Sequence, residues 1–310
     1  MKIGIIGLGD IAQKAYLPVI TALEGVELVF CTRNRKTLDR LSAKYRISEA
    51  AESVEELISL GVNAAFIHSS TESHAQIAEQ LIRSGIHVYV DKPISYHYGE
   101  AERLTALAEE LGVILMVGFN RRFAPMHAAV KDTAQVRSVL LQKNRLRSPD
   151  YARRFVYDDF IHVVDTIRYL APGQITKPPR ITTFVEDGKL VYVQLQLEGQ
   201  DFLCTGVMNR DSGADDEVLE VMSPGNKWVI ESMNTTVHYE AGQEQVLKFK
   251  DWDPVLYRRG FVRMIDHFLD CVQNGRQPII TMQDTLESHR ICELIVLEAE
   301  RNNALPWGLA

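Results

Sequence analysis

The chain has 310 residues, 46% of them apolar and 24% charged, with a formal net charge of -7. That length favours two cores, since single cores divide at roughly 250 to 300 residues. The acidic balance excludes a nucleic acid as the main partner, because such binding needs a concentrated basic surface, and leaves small molecules as the expected ligands. Cys31, Cys204, Cys271 and Cys292 lie far apart, with no CxxC pair and no histidine cluster nearby, so they read as buried thiols and no metal site is expected. No segment approaches the roughly 18 consecutive apolar residues of a membrane span. The first strand begins at Lys2, which leaves no room for a leader, so a cytoplasmic protein without a membrane partner is the expectation.

In chain order, short β-branched runs alternate with longer amphipathic segments. "KIGIIG" leads to a helix near residues 12–23, "ELVFCT" to "RKTLDRLSAKY", "AAFIHS" to "ESHAQIAEQLIRSG", and "HVYV" to "YGEAERLTALAEELG" before "VILMVGF". Strands separated by helices, with no polar alternate face, are what a parallel sheet buried on both sides requires. The expected class is α/β, with a Rossmann-type doubly wound parallel sheet over residues 1–119.

Residues 120–310 then read as a second domain, α+β with an open, mainly antiparallel sheet. In "LVYVQLQLEGQDFLCTGVMN", Val191, Val193, Leu195 and Leu197 face one way, Tyr192, Gln194 and Gln196 face the other, and "EGQD" supplies the hairpin turn. Similar segments at 181–185, 218–222, 228–231 and 246–249 suggest about half a dozen strands. Helices over 160–170, 258–273 and 283–302, each apolar at i, i+3, i+4 spacing, are expected to cover one face.

"IIGLGDIA" places Gly7, Gly9 and Ala12 in a G-x-G-x-x-A spacing between strand and helix. The first glycine permits the tight turn, the second lets a pyrophosphate approach the backbone, and the small third residue lets helix and strand pack. Asp10, Ile11 and Ala12 open the helix whose amide groups and dipole face the phosphates. The second strand ends in Thr32 and Arg33 rather than the carboxylate that binds the NAD ribose. Thr32 can donate to a 2'-phosphate and Arg33 can pair with it, so NADP is favoured over NAD. The plainer alternative is that Arg33, Arg35 and Lys36 solvate the next helix.

Four ordered features resemble the Gfo/Idh/MocA oxidoreductase family, which includes glucose-fructose oxidoreductase and inositol dehydrogenase. They are "GLGDIA", "DKP" for the family's E-K-P, "VGFNRRFAP" entering the second domain, and "DDFIHVVD" for D-x-G-x-H-x-x-D. The resemblance implies a Rossmann domain, a second domain on an open sheet, and cofactor binding in the cleft between them. Ser69, Ser70 and Thr71 match the loop along the nicotinamide half of the cofactor, and Ser70 stands where proline is frequent. His74 occupies the family's own histidine position, counts among the implied cofactor contacts, and reads as a structural loop or helix-start residue rather than a proton donor. Asp91 would reach toward Lys92 or the cofactor ribose, and Asn120 is a further implied cofactor contact.

Oxidising an alcohol needs a hydride acceptor and a positioned base. Asp158, His162 and Asp165 would share one helix face, where carboxylates can fix the imidazole tautomer; without the resemblance this is an ordinary capping group. The resemblance implies that His162 is the general acid/base, that Lys92 hydrogen-bonds the reacting oxygen, and that Asp158 binds substrate or orients His162. Asp165 stands behind them as a supporting carboxylate. Phe160 departs from the family's usual glycine and would shrink the pocket or shift the helix. Arg153 and Arg154 read as exposed residues or as a preference for an anionic substrate. The expected activity is hydride transfer between NADP, alternatively NAD, and a sugar, polyol or diol. Substrates outside the sugars, such as a dihydrodiol, an imine or a tetrapyrrole, suit the same architecture. A catalytically silent NADP-binding regulator or scaffold is the competing reading; the presence of Lys92 and His162 favours an enzyme. A homodimer or homotetramer through the Tyr192, Gln194 and Gln196 face is also implied.

Overall fold

The structure, a computed structural model, describes residues 1–133 and 135–304; positions 305–310 of the expected second domain lie outside the described residues. Apolar runs pair into a six-stranded, wholly parallel sheet of β1 (Lys2–Ile6), β2 (Glu27–Cys31), β3 (Glu49–Ala51), β4 (Ala64–Ile67), β5 (His87–Val90) and β6 (Leu115–Val117). Their spatial order is β3-β2-β1-β4-β5-β6, so the winding reverses between β1 and β4. Every residue of β4 is buried, as a strand covered on both faces must be.

The connecting helices are α1 (Leu17–Ile20), α2 (Arg35–Tyr45), α3 (Val54–Ser59), α4 (Thr71–Arg83) and α5 (Tyr98–Glu110). Asn34 caps α2 by accepting the Thr37 amide at 3.1 Å, and Ser53 caps α3 by accepting that of Glu56 at 3.1 Å. The continuous helix expected over 12–23 is instead a π-helical turn, Ala12–Tyr16, running into the single turn of α1. Pro18 near the start of α1 has no amide hydrogen to donate backwards, so regular α-bonding is interrupted there.

The second sheet has eight strands: β7 (Ser138–Asn144), β8 (Arg180–Glu186), β9 (Lys189–Glu198), β10 (Leu203–Asn209), β11 (Asp216–Ser223), β12 (Asn226–Glu231), β13 (Thr235–Glu240) and β14 (Gln243–Lys248). Their order is β14-β13-β12-β11-β7-β10-β9-β8, antiparallel except where β7 meets β10. Strands β7 and β13 exceed the sequence expectation: β7 alternates in burial but puts Lys143 on its buried face and Leu140 on the other, and β13 buries only Thr236. Val191 also departs from its expected face. A bulge between Phe184 and Val185 shifts the register, so Leu190 is buried in its place. The later helices in chain order are α6 (Pro125–Lys131), α7 (Ala152–Arg154), α8 (Ile161–Leu170), α9 (Val255–Arg258), α10 (Phe261–Asn274) and α11 (Met282–Ala304).

The chain divides into two compact units, one of Met1–Phe119 with Phe261–Leu286, the other of Asn120–Gly260 with the chain from Glu287 on. Helix α10 therefore belongs to the first unit and not, as its sequence position suggests, to the second sheet. The reason is aromatic packing: Phe268 lies 5.1 Å from the Phe66 ring and 5.6 Å from Tyr89, and Phe261 meets Tyr16 edge-on at 5.3 Å.

Candidate dinucleotide and catalytic site

Gly7 turns the chain out of β1 at φ 84°, and a Cβ there would lie 2.4 Å from the Ser69 amide nitrogen. Both conformation and space demand glycine at this point. At Gly9 the reason is different. A Cβ there meets nothing within 4 Å, so its bare backbone serves no packing of the protein's own and opens toward the cavity it lines.

That cavity, about 820 Å³, lies along the carboxyl edge where the strand order reverses, the usual ligand crevice of an open α/β sheet. It gathers Gly7, Gly9, Asp10 and Ile11 from the turn, Thr32 and Arg33 after β2, and Ser69 and Ser70 after β4. Ala12 is buried in packing behind the turn, and Thr71 begins α4. Arg33 is exposed on the rim, while Glu52 is engaged by Arg35 at 2.5 Å and Glu55 by Gln80 at 3.0 Å. The residues present fit a dinucleotide: a bare glycine backbone, a helix start and an exposed guanidinium line a single trough.

His74 is buried, with Nδ1 2.8 Å from the Pro93 carbonyl and Nε2 3.0 Å from that of Ser69. It ties the "SST" loop to the "DKP" segment, as a structural residue does. Asp91 is held in turn: its Oδ1 accepts the Tyr16 hydroxyl at 3.0 Å and the Lys92 amide at 3.0 Å. Tyr16 also meets the Tyr89 hydroxyl at 2.9 Å. The Tyr89 hydroxyl also reaches the Met264 sulfur, at 3.3 Å. Lys92 follows Asp91 directly and the Lys92–Pro93 peptide is cis. No spacing in the sequence links Tyr16 to Asp91, and sequence reasoning missed Tyr16.

In the second unit, Asp158 sits in a π-helical turn, Phe155–Phe160, that leads into α8 with His162 in its first turn. Asp158 and His162 are half-buried. Asp165 does not join them. It is 1% exposed and receives both arms of Arg122, at 2.9 and 2.6 Å, with Ser288 at 3.2 Å. An ion pair already complete leaves it nothing for His162. Asp159 is likewise committed, to Lys143 and to Arg145 at 2.8 Å.

Phe160 is fully buried, its ring in the core of the unit. It is the last residue of the π-helical turn that precedes α8. Arg153 is held by both oxygens of Glu293, at 2.8 and 2.9 Å, and Arg154 lies 3.8 Å from Asp158. Asn120 is buried and its amide is used internally, donating to the Arg259 carbonyl at 2.8 Å and accepting from Arg121 at 3.3 Å.

A doubly wound sheet with a glycine turn, a lysine after β5 and an Asp/His pair on a second sheet-based unit defines a class of nicotinamide-dependent oxidoreductases, and the chain belongs to the Gfo/Idh/MocA family. Residues 1–119 match the "Oxidoreductase family, NAD-binding Rossmann fold", and residues 125–242 match the "YceM-like, C-terminal domain". The chain is 35% identical over 304 residues to the Salmonella typhimurium protein named "Putative oxidoreductase YceM", spanning 96% of this chain and 98% of that one. It is similar in structure to a Gfo/Idh/MocA family oxidoreductase from Vibrio cholerae, with a TM-score of 0.93 at 33% identity over 98% of this chain and 100% of that one. The dehydrogenase MviM from Clostridium difficile gives a TM-score of 0.91 at 34% identity over 96% and 99%. Among the described residues, no helix is long and apolar enough to cross a membrane.

Proposed function

We propose that this NAD(P)-binding oxidoreductase uses NADP in preference to NAD and acts on a carbon bearing a hydroxyl or carbonyl group in a sugar-, polyol- or diol-like substrate. The observation that carries the cofactor reading is the cavity rim after β2, where exposed Arg33 stands beside Thr32 and both nearby carboxylates are already engaged. A guanidinium there pairs with a 2'-phosphate. When bound, the nicotinamide accepts or supplies the hydride.

Lys92 donates a hydrogen bond to the reacting oxygen, and Asp91, clamped by Tyr16, sets where the lysine leaves the strand. His162 takes or gives the hydroxyl proton, and Asp158 orients it or binds substrate. Relatives named myo-inositol 2-dehydrogenase, from Thermotoga maritima, and scyllo-inositol 2-dehydrogenase (NAD(+)), from Bacillus subtilis, support a polyol-like substrate class. Titrating both cofactors and assaying a polyol and sugar panel tests the reading. NADP should bind more tightly, and Arg33→Glu should reverse that order. His162→Ala should keep cofactor binding while turnover falls about 100-fold or more, the scale of general acid/base catalysis. Wild-type turnover in that variant would remove His162 from the role.

A homodimer or homotetramer through the outer face of the second sheet belongs to the same proposal. Gln194, Gln196 and Val207 are half-buried on that face, beside Tyr192. Light scattering should give twice or four times the 35.1 kDa chain mass, and Val207→Arg should lower it; a monomer at micromolar concentration refutes the assembly.

A further inference from the structure

His68 follows β4 directly and lines the dinucleotide cavity with only 3% of its surface exposed. Its ring stacks on Tyr16, centroids 3.8 Å apart at 27°, and stands 5.9 Å from the Phe66 ring and 6.2 Å from that of Tyr89. Neither ring nitrogen has a hydrogen-bond partner among the described residues. Nearby His74 is the opposite case, with both of its nitrogens on carbonyl oxygens.

A phenyl ring would fill this aromatic layer equally well without burying two unpaired polar atoms, which destabilise a fold. The nitrogens therefore cost the protein by itself and gain a use when a polar group enters the cavity. Burial, reinforced by the charge of His74, holds the ring's pKa down at about 3. The imidazole is thus neutral near pH 7 and offers one N–H donor and one lone-pair acceptor.

Its position selects the ligand half. Strand β4 stands across the crevice from β2, whose end carries Thr32 and Arg33. A dinucleotide laid over the switch point, with its adenosine ribose at β2, brings its nicotinamide half to β4. That half carries a carboxamide and ribose hydroxyls, each able to pair with a neutral imidazole nitrogen.

We propose that His68 is a cofactor-binding residue, hydrogen-bonding the nicotinamide half of the bound dinucleotide through a ring nitrogen while Tyr16 holds the ring by stacking. The proposal rests on the nicotinamide-cofactor reading of the cavity.

Calorimetric titration of the full chain and of His68→Phe, with NADPH and with 2'-phospho-ADP-ribose, which lacks nicotinamide, tests it. His68→Phe should raise the melting temperature of the ligand-free protein and weaken NADPH about tenfold, the loss of one hydrogen bond. Its affinity for 2'-phospho-ADP-ribose should stay within about twofold of wild type. NADPH binding unchanged, or both ligands weakened equally, overturns the assignment. If the unmodified chain binds neither ligand, the cofactor reading falls and this proposal with it; if it binds both and His68→Phe matches it, only the role of His68 falls. Should His68→Phe not fold, NMR of the His68 ring protons reads the contact in the unmodified chain. They should shift with NADPH and not with 2'-phospho-ADP-ribose, and no shift with NADPH overturns the proposal.

Discussion

His68, His127 and Glu217 show how burial decides the behaviour of single residues. Burial lowers His127 to about 4, Glu217 opposing and Arg121 assisting, much as His68 is held at about 3. Burial raises Glu217, but Arg121, bonded at 2.7 and 2.6 Å, with Lys143 and His127, outweighs it and leaves the carboxyl at about 2. All three have folded values below their unfolded ones, so each contributes stability that is complete above the unfolded value and is lost as pH falls toward the folded one. For the histidines that window opens at the ordinary value of 6.5; for Glu217 it opens at 4.5. Unfolding free energy should drop by roughly 2 kcal/mol per histidine by about pH 5. Urea titrations across this range check it, and His68→Phe should flatten the slope. A wild-type profile level from pH 7 to 5 would contradict the burial of both rings as neutral groups.

At the level of the element, α8 is anchored by what the sequence offered as part of its active face. Asp165 ties the helix to Arg122 of the 3-10 turn Asn120–Phe123 and to Ser288 of α11. Asp165→Ala removes the carboxylate that both arms of the buried Arg122 guanidinium engage and should cost about 3 to 5 kcal/mol, seen as a lowered urea midpoint. A loss under about 1 kcal/mol would mean the pair is dispensable. The Asp158, His162, Asp165 spacing was visible in the sequence, yet spacing says only which residues share a helix face. It cannot say that Arg122, 43 positions away, takes one of them out of play. Elements with strong period were legible: five of the six parallel strands and the glycine turn came directly from apolar runs and punctuation, whereas the three-residue β3 did not. The bulge beside Val191 and the weakly alternating β13 were not, because each depends on bonds to another segment; the interruption at Pro18 is local, and the helical period over residues 12–23 masked it.

For the whole molecule, the consequential departure is α10. Its rings cover Tyr16, Phe66 and Tyr89 on the first unit, so residues 1–119 do not contain all of their own core. A fragment of residues 1–119 should bind a hydrophobic dye strongly, and fusing residues 261–286 to it should suppress that binding. Equal dye binding by the fragment and the intact chain would show that the aromatic layer closes without α10. The amino-acid order was sufficient for the alternation of strands and helices, the change to an antiparallel sheet, the Gly7 and Gly9 turn and the ordered "DKP" and "DDFIHVVD" elements. These are patterns of period and local backbone preference, which lie within a few neighbouring residues. Folding alone decided that Asp165 is spent on Arg122, that Asn120 is turned inward, that Tyr16 clamps Asp91 and that His68 reaches the cavity with its nitrogens unpaired. Each of these rests on contacts between distant segments, for which a linear pattern carries no distance.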